Sequence, residues 1–167
     1  MKLFSIFLLT LSTFFCSVQA KEPSSDGKHY ISWEDVAKNS KDLAEKLKDQ
    51  GPFEGIVAVA RGGYIPAVIV AHELNIKKIV SFSLYSYDDA KKKQGEFDVY
   101  SKFEDLEGRW LVIDELVDSG KTLAKIRESL PKSVFAVVYA KPAGTESTDF
   151  YAKAVPQDTW VVLPWEN

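Results

Sequence analysis

The stretch WLVIDELVDSGKT, from Trp110 to Thr122, decides how this chain folds. It begins with apolar residues typical of a buried strand and then places two acids, Asp114 and Glu115, side by side. Two aliphatic residues and a third acid, Asp118, precede a Ser-Gly-Lys-Thr run. Carboxylates at the end of a buried strand are costly unless they meet a metal ion or hydroxyl groups. The stretch therefore predicts a binding site directly after a strand that ends at the acid pair.

The Ser-Gly-Lys-Thr run stands between that strand and a helix predicted from Gly120 to Leu130. Free N–H groups and the positive end of the helix dipole favour an anion there, and glycine allows its close approach. The run is not a Walker A loop, because Glu115 occupies the position of that motif's first glycine. A single acid at a strand end usually caps a helix, but three acids beside this run favour a phosphate site.

Short apolar runs alternate with helical segments along the rest of the chain. Strands are predicted in GIVAVA (55–60), KKIVSFSLYSY (77–87), RWLVID (109–114) and SVFAVVYA (133–140), with edge strands in DFYAKAV (149–155) and WVVLPW (160–165). Strand-turn-helix order predicts an α/β fold, with a parallel twisted sheet and helices on both faces. Ligands bind beyond the carboxyl ends of such strands, where the chain carries Arg61 to Gly63, Ser86-Tyr87, Asp114 to Thr122, and Lys141 to Gly144.

The opening stretch resembles the 13-residue signature of type I phosphoribosyltransferases, enzymes that use phosphoribosyl pyrophosphate (PRPP). The resemblance continues through GIVAVARGGYIPAVIVAHELNI (55–76), SLYSYD (83–88), YAKPAG (139–144) and VPQDTWVVLPWE (155–166), and is strongest to bacterial members that use xanthine and guanine. It implies the type I phosphoribosyltransferase fold with a flexible hood loop, here Asp88 to Gly108. It also implies a Mg²⁺-dependent pentosyl transfer from PRPP to a 6-oxopurine, giving a nucleoside monophosphate and pyrophosphate.

The resemblance assigns the PRPP side of the site. Arg61 and Gly62 would bind pyrophosphate, with a non-proline cis peptide expected at Ala60-Arg61. The matched PRPP and phosphate positions are Arg61, Gly62, Asp114, Glu115, Leu116, Val117, Asp118, Ser119, Gly120, Lys121 and Thr122. Asp114 and Glu115 would hold the ribose hydroxyls, and Glu115 would contact Mg²⁺ directly or through water. Glu115 departs from the pattern that the resemblance implies, in which Asp is expected at this position.

The resemblance also assigns the purine side. Asp118 would face purine N7 and act in proton transfer, as the catalytic residue. Lys141 would donate to the 6-oxo group, Trp160 would stack on the ring, and the Val161 carbonyl would accept from a 2-amino group. A lysine donor favours guanine, xanthine or hypoxanthine over a 6-aminopurine. The alternative for Lys141 is an exposed surface lysine, which the adjacent Pro-Ala-Gly turn argues against. Without the family, Trp160 would be interpreted equally well as a core residue.

The N-terminal stretch MKLFSIFLLTLSTFFCSVQA has the pattern of a signal peptide, with small residues at its cleavage end. We expect a signal peptide at 1–20 cleaved after Ala20, a flexible tail at 21–28, and a phosphoribosyltransferase domain at 29–167. Cleavage would remove Cys16, the only cysteine. The mature protein would then be periplasmic or secreted. An uncleaved anchor or a misassigned start would instead leave it cytoplasmic or peripheral to the inner membrane.

Charge limits the partners. The net charge is -3 and no broad basic stripe is present, which argues against a nucleic-acid partner. The expected partners are PRPP, a 6-oxopurine, pyrophosphate, further copies in a dimer or tetramer, and a membrane surface through the N-terminus. Lys91 to Lys93 would either reach pyrophosphate or form a solvated charge run.

Three functions fit these motifs and this N-terminus. The first is a purine phosphoribosyltransferase, either cytosolic despite its N-terminus or acting after export. The second is an exported purine- or nucleotide-binding protein with little turnover, and the third is a secreted interaction protein on the same scaffold. The joint presence of Arg61, Asp118 and Lys141 argues against the third.

Overall fold

The computed structural model describes residues 27–86, 97–99 and 106–166. The predicted signal peptide, the tail up to residue 26, and most of the predicted hood loop, including Lys91 to Lys93, lie outside the described residues.

The described parts contain eight strands and three α-helices. In chain order they are β1 (Lys28–Tyr30), α1 (Trp33–Leu47), β2 (Ile56–Ala60), α2 (Tyr64–Glu73), β3 (Ile79–Ser86), β4 (Phe97–Val99), β5 (Leu111–Val117), α3 (Lys121–Ser129), β6 (Val134–Ala140), β7 (Phe150–Ala154) and β8 (Trp160–Val162). Short 3₁₀ turns lie at Lys48–Gln50 and Pro142–Ser147. Among the described residues, no helix has the length and apolar character needed to cross a membrane.

Six strands form the main sheet, in the order β4-β3-β2-β5-β6-β7. Neighbouring strands are parallel except β3 and β4, which are antiparallel. Alternate residues point to opposite faces, so Ile56 and Ala58 pack in the core that contains α1 and α2, whereas Val57 and Val59 pack in the core that contains α3. Helices therefore cover both faces, and the predicted α/β fold is confirmed.

β5 runs past the acid pair, so the prediction that this strand ends at Asp114 is wrong. Its pairing with β2 stops at Ala58 beside Ile113, but its pairing with β6 continues to Val117 beside Ala140. The ladder with β6 holds the backbone extended beyond the acids. Asp114 and Glu115 consequently lie inside the strand, where one neighbour has already separated from it.

The chain ends are arranged differently from the prediction. β7 is the edge strand of the main sheet, as predicted, but β8 pairs in parallel with β1 in a separate two-stranded sheet. Ile31 N–H extends this contact by donating to the Val162 carbonyl at 2.9 Å. Lys28, predicted to end the flexible tail, is therefore the first residue of β1. Burial of Val161 and Leu163 in the α1 side of the core explains why the end of the chain packs here.

Part of the predicted hood loop is ordered. Phe97–Val99 forms β4 and pairs with Leu84 to Ser86 of β3, so the loop is not structureless throughout. The charged sequence around Phe97 lacks the period of a strand, and partner hydrogen bonds rather than local pattern create this one.

Candidate functional site

The turn after β2 meets the acid pair of β5. The Ala60-Arg61 peptide is cis, as predicted, and Arg61 is exposed. Gly62 packs so closely on Glu115 that a Cβ at Gly62 would lie 2.1 Å from the Glu115 carboxyl carbon. A Cβ there would displace the end of the Glu115 side chain, so glycine leaves room for this carboxylate. The structure thus brings the predicted pyrophosphate turn and the predicted metal ligand into contact.

The two acids of β5 are held in different surroundings. Asp114 is only 8% exposed, and its Oδ1 accepts a hydrogen bond from the Glu115 backbone N–H at 2.8 Å. Burial, together with the neighbouring Glu115 charge, raises the pKa of Asp114 well above its usual 3.8. Glu115 Oε2 is buried and finds no hydrogen-bond partner among the residues that the structure describes.

This unpartnered oxygen bears on the predicted metal. A buried carboxylate oxygen without a donor is costly, and a bound cation or hydroxyl group would remove that cost. Within the described ranges, no group of three or more His, Cys, Asp and Glu side chains is placed to hold a metal ion. Mg²⁺ commonly binds through only one or two carboxylates plus water and substrate oxygens. Asp114 and Glu115 therefore fit such an ion.

The predicted phosphate cradle forms a cavity of about 150 Å³ between β5 and α3. Its lining residues are Asp114, Leu116, Val117, Asp118, Ser119, Gly120, Lys121, Thr122 and Leu123. Gly120 precedes α3 with a φ of 77°, a left-handed conformation that favours glycine. A cavity at the start of a helix, where backbone N–H groups lack partners within the helix, suits an anion.

Asp118 and Lys141 form the second centre of the site. Lys141 Nζ donates to Asp118 Oδ2 at 2.8 Å, with side-chain exposures of 9% for the lysine and 56% for the aspartate. Lys141 N–H also donates to the Val117 carbonyl at 2.9 Å, which fixes the lysine beside the end of β5. The alternative interpretation of Lys141 as a surface lysine is therefore wrong. A buried ammonium group needs such a partner.

Gln157 belongs to this centre, and the sequence reasoning missed it. Its Nε2 donates to Asp118 Oδ1 at 2.8 Å, and its Oε1 accepts from the Ala143 N–H at 2.8 Å. Both carboxylate oxygens of Asp118 are thus hydrogen-bonded. Gln157 lies 39 positions from Asp118, and no local motif marks such a distance.

The last predicted purine contacts lie on β8. Trp160 is 68% exposed, which excludes core packing, and Val161 is buried beside His29 of β1. The turn that carries Gln157 leads directly into β8, so Asp118 and Trp160 are joined through one short segment.

Comparison with known proteins identifies the family of this chain. The phosphoribosyl transferase domain family matches residues 27–166. The chain is 46% identical over 138 residues to the xanthine-guanine phosphoribosyltransferase of Desulfotalea psychrophila, covering 82% of this chain and 85% of that protein. It is 40% identical over 140 residues to the enzyme of the same name from Nitratidesulfovibrio vulgaris, covering 82% of this chain and 83% of that protein.

Solved structures give the same family. A purine phosphoribosyltransferase from Pyrococcus horikoshii superimposes with a TM-score of 0.68 at 30% identity, covering 84% of this chain and 95% of that one. The predicted resemblance is confirmed, and the chain belongs to the phosphoribosyl transferase family.

Proposed function

We propose that this protein is a purine phosphoribosyltransferase that transfers the 5-phosphoribosyl group from PRPP to a 6-oxopurine. The observation that carries the proposal is the Asp118–Lys141 pair beside the phosphate cradle. The pair offers a base one donor, the Lys141 ammonium, and one acceptor, the Asp118 carboxylate. Both lie beside the cavity that suits a sugar phosphate. The names of relatives at 40% and 46% identity support xanthine and guanine as substrates.

The base would be recognised along its O6 and N7 edge. The Lys141 ammonium carries only donors, which match a 6-oxo group and oppose a 6-amino group. The Asp118 carboxylate carries only acceptors, which match a protonated N7 and allow the proton to leave during transfer. The exposed Trp160 ring would stack on the base, and the Val161 carbonyl would accept from the 2-amino group of guanine.

PRPP would lie along β5 and the start of α3. Ser119, Gly120, Lys121 and Thr122 would hold the 5′-phosphate, with Leu116 and Val117 contributing to the cavity wall. Asp114 and Glu115 would accept from the ribose hydroxyls, and Arg61 with Gly62 would bind the pyrophosphate. Mg²⁺ held at Glu115 would supply positive charge to the leaving pyrophosphate.

A second candidate is an exported purine- or nucleotide-binding protein with little or no turnover. The contact between Glu115 and Gly62 favours it, because the carboxylate occupies the space immediately beside the proposed pyrophosphate turn. A carboxylate at that place would repel pyrophosphate unless a cation lies between them.

One assay separates the two candidates. Residues 21–167 are incubated with Mg²⁺, PRPP and guanine, xanthine or hypoxanthine, and nucleotide formation is followed by absorbance, with adenine as the control base. Turnover of a 6-oxopurine but not adenine supports the transferase. Binding of guanine or its nucleotide in calorimetry without turnover supports the binding protein, and the absence of both contradicts both.

We also propose export, on the pattern of the N-terminal sequence. The signal peptide would be 1–20, the tail 21–28, and the transferase domain 29–167, acting in the periplasm or outside the cell as a dimer or tetramer. N-terminal sequencing of the native protein should begin at Lys21. An intact Met1 would contradict cleavage and favour a cytoplasmic or membrane-peripheral protein.

A further inference from the structure

The side chain of Gln157 connects Asp118 to the turn after β6. We propose that Gln157 is a positioning residue that fixes the Asp118 carboxylate for proton transfer, an inference that rests on the proposed transferase function. Its two hydrogen bonds, to Asp118 Oδ1 and from the Ala143 N–H, are both 2.8 Å long.

The orientation of the Gln157 amide is forced by its partners. A backbone N–H can only donate, so the amide oxygen must face Ala143. The amide NH₂ group must then face Asp118, whose carboxylate can accept. The reversed amide would oppose donor to donor at Ala143 and acceptor to acceptor at Asp118, and is excluded by both contacts.

Ala143, the backbone partner of Gln157, is connected to the backbone beside Asp118 through further hydrogen bonds. Ala143 lies in the 3₁₀ turn Pro142–Ser147, and Gly144 N–H donates to the Lys141 carbonyl at 2.9 Å. Lys141 N–H in turn donates to the Val117 carbonyl, one residue before Asp118. Because this chain of short bonds returns to the backbone beside Asp118, Gln157 holds the carboxylate against a fixed reference.

Asp118 needs such support because its side chain is more than half exposed. Lys141 holds Oδ2, but Lys141 is also the proposed donor to the 6-oxo group of the base. Once Lys141 turns to the base, Gln157 is the side chain that still holds the carboxylate through Oδ1. Oδ2 is then left facing N7, in the orientation required for accepting its proton.

Three variants test this role in the residue 21–167 protein. Gln157→Leu removes both hydrogen bonds with similar shape, and Gln157→Glu keeps an acceptor for Ala143 but puts a carboxylate against Asp118. Asp158→Asn, at the exposed neighbouring position, is the matched control. We expect kcat to fall about tenfold to a hundredfold in Gln157→Leu, as for loss of a hydrogen bond to a charged group. The KM for PRPP should stay within about twofold of wild type, as should both constants of Asp158→Asn.

The order of the variants separates positioning from mere structural support. A structural link to Ala143 predicts that Gln157→Glu is milder than Gln157→Leu, because Glu keeps that bond. Positioning predicts the reverse, because the second carboxylate displaces the first. Wild-type kcat in Gln157→Leu, or a milder loss in Gln157→Glu, would overturn the proposal.

If the wild type shows no turnover, the proposed function fails and the structural part is still decided by crystallography. Crystal structures are compared in a Lys141→Met background, because Lys141 still holds Oδ2 in the free protein. Lys141→Met alone should keep the Asp118 carboxylate in its wild-type orientation through Gln157, and adding Gln157→Leu should rotate it away. An Asp118 carboxylate that is unchanged in the double variant would overturn the role of Gln157.

Discussion

The carboxylates on the proposed purine side of the site and those on the proposed sugar–phosphate side have different surroundings. Both oxygens of Asp118 are hydrogen-bonded by protein side chains. On the other side, a Glu115 oxygen is buried without a partner among the described residues, and burial raises the pKa of Asp114. The protein therefore organises the proposed purine side itself, whereas the proposed sugar–phosphate side keeps a buried acceptor that a hydroxyl group or a cation would satisfy.

The difference has an energetic meaning. A carboxylate whose oxygens are hydrogen-bonded by the protein costs little stability and is already oriented before the substrate binds. A buried, unsatisfied carboxylate costs stability in the free protein, and hydroxyl groups or a cation remove that cost on binding. Substitutions on the two sides should consequently change activity and stability in different proportions.

The largest effect is expected from breaking the purine side at its centre. Asp118→Ala removes the proposed proton acceptor and should lower kcat by about 10²- to 10⁴-fold, the usual contribution of general acid–base catalysis. Steady-state kinetics with guanine and PRPP measure it, with Asp158→Ala as an exposed control. Wild-type activity in Asp118→Ala would contradict the assigned mechanism.

The next largest effect is expected from removing the Trp160 ring, and it should change the binding of the base alone. Trp160→Ala should raise the KM for guanine about tenfold or more, the usual size of base–aromatic stacking, and leave the KM for PRPP unchanged. Because the side chain is largely exposed, the free energy of unfolding should change by no more than about 0.5 kcal/mol. Urea denaturation and kinetics measure both.

Trp33→Ala is the control for Trp160→Ala, since Trp33 is another exposed tryptophan and packs against Trp165 rather than the proposed base site. It should leave both KM values unchanged. Equal KM changes for guanine and PRPP in Trp160→Ala would contradict a stacking role.

Sequence predicts some of these features and not others for a physical reason. The strand-turn-helix around Asp114 to Thr122 is local, so its residues and their order predict the sheet, the cavity and the acids together. The fate of β5 beyond Asp114 depends on pairing with β6, and the position of β8 depends on β1, at the opposite end of the described chain. Such long-range pairings leave no local trace.

Gln157 shows the same limit inside the site. Glutamine in an exposed turn is ordinary, and only the fold brings it to Asp118. The contact of Gly62 with Glu115 is another case, because the sequence predicts a role for each residue but not that their atoms touch.

A substitution at Gly62 tests the contact with Glu115 on the proposed sugar–phosphate side. Gly62→Ala would place a methyl group against the Glu115 carboxylate and should destabilise the protein by about 1–3 kcal/mol, the usual cost of overpacking. In a Glu115→Ala background, Gly62→Ala should leave the free energy of unfolding almost unchanged, since the clashing carboxylate is absent. Urea denaturation of the four proteins measures the coupling.

Additive free energies in that cycle would show that the Glu115 carboxylate does not restrict a side chain at position 62. Strong coupling would instead confirm that the Glu115 carboxylate packs against Gly62.

The smallest effect is a gain in stability. Asp114→Asn keeps an acceptor for the Glu115 N–H but removes the buried acid, so at pH 7 it should stabilise the protein by about 1–2 kcal/mol. Below the usual pKa of 3.8, Asp114 is protonated in both the folded and the unfolded wild type. The free energy of unfolding of the variant should then equal that of the wild type. As pH rises above that value the unfolded wild type ionises while the folded state still holds its proton, so the wild type loses stability and the gain appears. Urea denaturation in chelator across this range measures it, with Asp158→Asn as the exposed control, and a gain that does not grow with pH would contradict the raised pKa of Asp114.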